Sequence, residues 1–113
     1  MRKNRQKNRA ETDFLAELVL WQNNPEHVAR IGEQALQGNK DAQYALGLCY
    51  AEGRGVEEDH IEAYYWLSLA VKQGDRDAEL LRQVLQQSMN LQKINMADQL
   101  VQNYLARQDR YYA

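Results

Sequence analysis

Three side chains in this sequence offer nucleophilic, acid–base or metal chemistry: His27, Cys49 and His60. Catalysis or metal binding would need them close together, or beside paired carboxylates at ligand spacing. They are far apart in the pattern, and each histidine falls in the first turn of a predicted helix. The acidic run at 57–59 lacks the alternating oxygen ligands and the downstream glutamate of a calcium loop. We therefore expect no catalytic residue, no metal and no cofactor, and a protein that is not an enzyme.

The composition is that of one small globular domain. The 113 residues are 44% apolar and 27% charged, with a single proline, and their apolar residues recur at helical spacing, which predicts an all-α fold. The longest apolar stretch, residues 14–21, is interrupted by Glu17 and is too short to span a bilayer. One cysteine excludes an intramolecular disulfide and favours a reducing compartment. Because no signal-peptide pattern follows the start, we expect a cytoplasmic protein.

The N-terminus carries a strong local charge. Residues 1–9 hold five of the fourteen basic residues and no acidic one. Such a segment is able to contact nucleic acid or an anionic membrane. No aromatic residue lies between the charges to stack on bases, which argues against nucleic-acid binding. We interpret residues 1–11 as a solvated, disordered tail, and the contact with nucleic acid or membrane stays open as an alternative.

An internal repeat is the most informative pattern. The sequence GNKDA at 38–42 returns as GDRDA at 74–78, an offset of 36 residues, which is typical of stacked helical hairpins. Small and aromatic residues lie at fixed spacing in and between the two copies. These repeat positions are Ala42, Ala45, Leu46, Gly47, Tyr50, Gly53, Gly55, Val56, Asp59, Ala63, Trp66, Ala70, Gly74 and Ala78. The pattern resembles the Sel1-like repeat, a relative of the tetratricopeptide repeat.

This resemblance implies a short α-solenoid of antiparallel helical hairpins, with about six helices. Within the repeat, Gly47 would allow a close helix contact, and Gly53 and Gly55 would form the turn between the two helices. Asp59 and Glu62 have the spacing of a capping box. Tyr50 and Trp66 are interpreted as core residues.

The flanking segments predict partial repeats inside one domain at residues 12–107, with a complete repeat at about 38–73. A first helix is predicted at about 13–22, and Asn24 with Pro25 would begin a second, with Val28, Ile31, Ala35 and Leu36 on one face. After Gly74, Arg82, Gln83 and Gln86 stand where the repeat has Leu46, Gly47 and Tyr50. The repeat pattern therefore ends there. A last helix at about 91–107 would cover the open end of the stack, leaving a tail at 108–113. The apolar stripe of this last helix is Leu91, Ile94, Ala97, Val101, Tyr104 and Leu105.

A second set of apolar residues lies beside the repeat positions. In proteins built this way, first helices line a concave groove, and apolar residues flanked by glutamines there suit a docked peptide or helix. The candidate binding residues are Gln43, Tyr44, Leu48, Ala51, Glu79, Leu80, Val84 and Gln87. The alternative, in which terminal helices cover them, stays open. The predicted function is a non-catalytic module or adaptor that binds an unidentified protein partner, with self-association as a homodimer as another possibility.

Overall fold

The computed structural model describes residues 24–112, with side chains up to residue 108. This part of the chain contains five helices and no strand. The helices are α1 (Pro25–Leu36), α2 (Lys40–Glu52), α3 (His60–Lys72), α4 (Arg76–Gln86) and α5 (Leu91–Tyr112). The predicted all-α architecture of successive packed helices is confirmed. The predicted helix at 13–22 and the basic tail lie outside the described residues, while α5 continues past residue 107, where it was expected to end.

Each helix begins at a polar side chain that accepts hydrogen bonds from the first turn. These contacts satisfy backbone N–H groups that have no partner within the helix. The capping residues are Asn24, Asn39, Asp59, Asp75 and Asn90, with N···O distances of 2.8–3.1 Å. The starts of the five helices therefore follow from local capping residues.

The D-x-x-E pattern at the start of α3 forms only half of a capping box. The Asp59 carboxylate accepts from the backbone N–H groups of Ile61 and Glu62. Glu62 does not return the bond, because its carboxylate accepts from the Trp66 indole at 3.2 Å. The Asp59 N–H instead donates to the Tyr50 carbonyl at 2.9 Å, which fixes the start of α3 to the last turn of α2.

The loop between α2 and α3 depends on two glycines with positive φ. Gly53 ends α2 at φ +67°, and Gly55 follows at φ +74°. A Cβ on Gly55 would come within 2.6 Å of Val28 Cγ2 in α1. Gly55 thus allows both a left-handed turn and the close packing of this loop on α1.

The core consists of two apolar clusters that share α3. The first comprises Val28, Ile31, Ala35, Ala42, Leu46, Cys49, Trp66, Leu69 and Val101. The second comprises Ala63, Tyr64, Leu67, Ala70, Ala78, Leu85, Met89 and Ala97. Helix α3 packs against α2, α4 and α5, while α1 packs against α2. The complete repeat, formed by α2 and α3, is therefore enclosed by neighbours on both sides.

Two apolar residues expected in helix stripes are exposed. Leu36 is 68% exposed at the last position of α1, about 100° around the helix from the buried Ala35. Leu91 is likewise exposed, at the first position of α5. The rest of α5 lies along α3, where the Tyr104 and Tyr65 rings meet edge to face with centroids 6.3 Å apart. Helix α5 packs on α3, and none of the described residues covers Leu80 and Val84 on the outer face of α4.

Candidate functional site

The candidate binding residues divide between α2 and α4 with very different exposure. On α2, Tyr44, Leu48 and Ala51 are half-buried, and Tyr44 and Ala51 pack against the second core cluster. On α4, the apolar Leu80 and Val84 are 61% and 62% exposed. Glu79 and Gln87 are also exposed. We call these seven residues the α2–α4 surface.

Gln43 does not belong to this surface, and its predicted place in a groove is wrong. It is 1% exposed, and its side-chain amide donates to the Ala35 carbonyl at 3.3 Å. Its amide oxygen accepts from Gln73 Nε2 at 2.8 Å, and Gln73 Nε2 also donates to the Gly38 carbonyl at 2.9 Å. This network joins α2 to the end of α1 and the end of α3. The position of Gln43 in the sequence did not indicate these hydrogen-bond partners.

Three carboxylates lie close enough to Tyr44 on the α2–α4 surface to affect its titration. Burial raises the pKa of the Tyr44 phenol, and the carboxylates of Asp77, Asp75 and Glu52 raise this pKa further. A phenolate at Tyr44 is therefore disfavoured both by lost hydration and by like charge. The surface thus combines exposed apolar side chains with an acidic border.

Polar residues on the other face of α4 replace the apolar repeat residues without breaking the packing. Arg82 lies over the Tyr64 ring, 5.5 Å from its centroid, and donates to Ser68 Oγ at 3.1 Å. Gln86 Nε2 donates to the Tyr64 hydroxyl at 3.3 Å. The repeat pattern weakens at these positions, yet α4 still packs on α3 through a cation–π contact and hydrogen bonds.

His27, Cys49 and His60 form no metal-binding group among the described residues. His60 Nε2 lies 2.8 Å from a Glu58 carboxylate oxygen, at an exposed helix start. Burial raises the pKa of the Cys49 thiol, and this disfavours the reactive thiolate. Across residues 24–108, no three His, Cys, Asp or Glu side chains lie close enough together to hold a metal ion. No helix in the described part combines the length and apolar character that crossing a bilayer requires.

A depression of about 440 Å³ lies between α1 and α2. Its lining includes His27, Arg30, Ile31 and Gln34 from α1, and Ala42 and Ala45 from α2. The Nδ1 atom of His27 is buried and has no hydrogen-bond partner among the described residues. We call this depression the α1–α2 groove. No pattern in the sequence indicated this groove.

Comparisons with known proteins agree with the repeat. The family model described as "Sel1 repeat" matches residues 40–75. The chain is 43% identical over 53 residues to the ERAD-associated E3 ubiquitin-protein ligase component HRD3A of Arabidopsis thaliana, which covers 45% of this chain and 8% of that protein. It is 34% identical over 74 residues to the alginate biosynthesis protein AlgK of Azotobacter vinelandii, which covers 66% of this chain and 16% of that protein.

The segments aligned with this chain thus span only a small part of each of the two relatives. Residues 40–75 coincide with α2, the glycine loop and α3, and end where α4 begins. The resemblance predicted from the sequence is confirmed: this chain contains a Sel1 repeat, and α2 and α3 are its two helices.

Proposed function

We propose that this chain is a non-catalytic interaction module that binds a helix or peptide of a partner protein on the α2–α4 surface. The exposure of Leu80 and Val84 carries the proposal. Large apolar side chains that stand out from a helix face, rimmed by polar residues, mark sites of protein contact. Sel1 repeats are protein–protein interaction modules, and the relative HRD3A is named as a component of a ubiquitin-protein ligase.

The repeat supports this interpretation. Leu80 and Val84 stand 36 residues after Tyr44 and Leu48. One repeat earlier, Tyr44 packs against the cluster to which α4 contributes Ala78 and Leu85. In α2 this helix position packs against the neighbouring helix. In α4 none of the described residues covers the equivalent position. A helix from a partner would replace the missing neighbour and bury both side chains.

The acidic border favours a partner segment that carries lysine or arginine beside its apolar residues. Asp75, Asp77 and Glu79 lie on or next to the first turn of α4, and Arg76 is the one basic residue among them. Opposite charges around an apolar contact raise association rates and select partners more than they add affinity. We also retain the cytoplasm as the proposed location, since the lone Cys49 is a free, buried thiol.

A capture experiment with a matched control tests this function. The double variant Leu80→Gln and Val84→Gln should lose proteins that the parent retains from native extract. Leu36→Gln should retain them, because Leu36 is equally exposed but lies at the far end of α1. The melting temperatures should agree across the three proteins. Equal capture by the parent and the double variant would contradict the proposal.

Self-association is a second candidate function, favoured by exposed apolar side chains on α5. Met96 and Leu100 lie one helical turn apart and are both exposed. Sedimentation velocity of the parent over a concentration series measures dimer formation directly. If a dimer forms and Met96→Gln with Leu100→Gln abolishes it while the α4 double variant does not, the α5 face is the dimer contact.

A further inference from the structure

The α1–α2 groove corresponds to a filled position one repeat later. The groove residues His27, Ile31, Gln34 and Ala42 precede Ala63, Leu67, Ala70 and Ala78 by 36 residues. All four of the later residues are 0% exposed. The same surface of the repeat is thus fully sealed between α3 and α4, whereas between α1 and α2 the described residues leave a depression beside Ile31 and Ala42, which are 7% and 6% exposed.

Helix α2 provides that seal. A Cβ on Gly47 would lie 2.7 Å from Leu67 Cγ and 3.2 Å from the Ala63 carbonyl oxygen, so α2 is in direct contact with both residues. Tyr44 and Ala51 of α2 pack against the same cluster. The helix that precedes α3 in the chain therefore covers the junction of α3 and α4. By the same relationship, the segment that precedes α1 should cover the junction of α1 and α2.

The segment before α1 has the composition that this position requires. In residues 14–21, seven of the eight side chains are apolar, including Phe14, Leu18 and Trp21. Only Asn23 and Asn24 separate Gln22 from α1 in the sequence, so a short link joins the segment to α1. A ten-residue helix is about 15 Å long, and the groove residues 27–34 span about 11 Å along α1. We propose that residues 13–22 of the same chain occupy the α1–α2 groove and complete a first helical hairpin.

One polar group of the groove fits this occupant. The Nδ1 atom of His27, in the first turn of α1, is buried and has no hydrogen-bond partner among residues 24–108. Asn23 and Gln22 lie four and five residues before it in the sequence. Burying an unpaired polar atom is costly, and a side-chain amide from either residue would satisfy it.

Chymotrypsin cleavage followed by mass spectrometry tests this occupancy in the full chain. Cleavage after Phe14 and Trp21 should be at least about tenfold slower than in a synthetic peptide of residues 8–24, because a docked segment must detach before it is cut. Ala45→Lys places a charge in the groove and should restore fast cleavage. Glu33→Lys, on an exposed position of α1 that does not line the groove, should leave the protection intact.

Trp21 fluorescence gives a second measurement that does not depend on the groove variant folding. In a Trp66→Phe background, Trp21 emission should be blue-shifted and shielded from iodide. Both readouts should be unchanged over about a hundredfold dilution, since the contact is within one chain. Cleavage as fast as in the peptide, protection that survives Ala45→Lys in a folded protein, or protection lost on dilution would each overturn the proposal. The last result would assign the groove to a second copy.

Discussion

Gly47 in α2 lies so close to Leu67 in α3 that a Cβ at position 47 would come within 2.7 Å of Leu67 Cγ and 2.9 Å of its Cδ2. Leu67 is fully buried and is central to the second core cluster. The missing side chain at Gly47 therefore sets the distance between the two helices of the Sel1 repeat. Glycine weakens a helix by about 0.5–1 kcal/mol relative to alanine, and the close contact offsets this cost.

We expect Gly47→Ala to lower the free energy of unfolding by about 1–3 kcal/mol, because the added Cβ would force the buried Leu67 side chain or the α3 backbone to shift. Gly32→Ala is the matched control, since Gly32 is also inside a helix but has no heavy atom within 4 Å of an added Cβ. That change should raise stability by about 0.4–1 kcal/mol. Urea denaturation of both variants measures the difference. Equal effects at the two glycines would rule out the close contact.

A second prediction concerns the buried amide of Gln43. Gln43→Ala removes hydrogen bonds to Ala35 and Gln73 and leaves a cavity, so we expect a loss of about 1–3 kcal/mol. Gln83→Ala on the exposed side of α4 should change stability by less than about 0.5 kcal/mol. Thermal melts of the two variants test this. A Gln43→Ala protein as stable as the Gln83→Ala protein would show that the network contributes nothing.

The α2 and α4 halves of the α2–α4 surface should respond differently to the same change. Tyr44→Ser removes a ring that packs on the second cluster and should cost about 1–3 kcal/mol. Val84→Ser, at an exposed position, should cost less than about 0.5 kcal/mol. Chemical denaturation distinguishes them. If Val84→Ser proved as costly as Tyr44→Ser, α4 would be covered in solution.

Stability should fall at alkaline pH. Burial raises the pKa of the Cys49 thiol above its ordinary 9.0, and raises the pKa of the Tyr65 phenol above its ordinary 10.0. The folded protein keeps these protons at pH values where the unfolded chain has lost them. The free energy of unfolding therefore falls as pH rises. This stabilisation is fully present below pH 9 and is lost as pH rises through the folded-state pKa values.

Urea midpoints measured between pH 8 and pH 10.5 check this expectation. Cys49→Ala should flatten the decline between about pH 8.5 and pH 9.5 and leave the later tyrosine decline in place. A midpoint that stays constant up to pH 10.5 would show that neither group is shielded from water in the native state.

The repeat itself could be predicted from the sequence because its signals are local. Gly53 and Gly55 adopt the positive φ angles that few other residues tolerate. Asp59 caps the helix that begins one residue later. Each of these signals acts within a few residues, so the bounds of α2 and α3 followed from the chain alone.

The binding residues were harder to predict because α2 is packed on several sides. A helix with one buried face shows its exposed residues by period, but α2 contacts α1, α3 and α4. Gln43 is buried among these neighbours through hydrogen bonds, which hydrophobic periodicity cannot detect. The contacts of Arg82 and Gln86 were not predictable for a similar reason, since their hydrogen-bond partners on α3 are distant in sequence.

The turn at Gly38 and the turn at Gly74 are built alike. Their φ angles are +94° and +90°, and in each the capping residue that follows donates its N–H, at 3.1 Å, to a carbonyl five residues earlier: Asn39 to Gln34, and Asp75 to Ala70. Because the two turns have the same geometry, the hairpin of α2 and α3 can serve as a repeating unit. A copy of residues 38–73 spliced in after Gln73 would meet the same junction at both ends, so the array can be lengthened by one unit without designing a new connection.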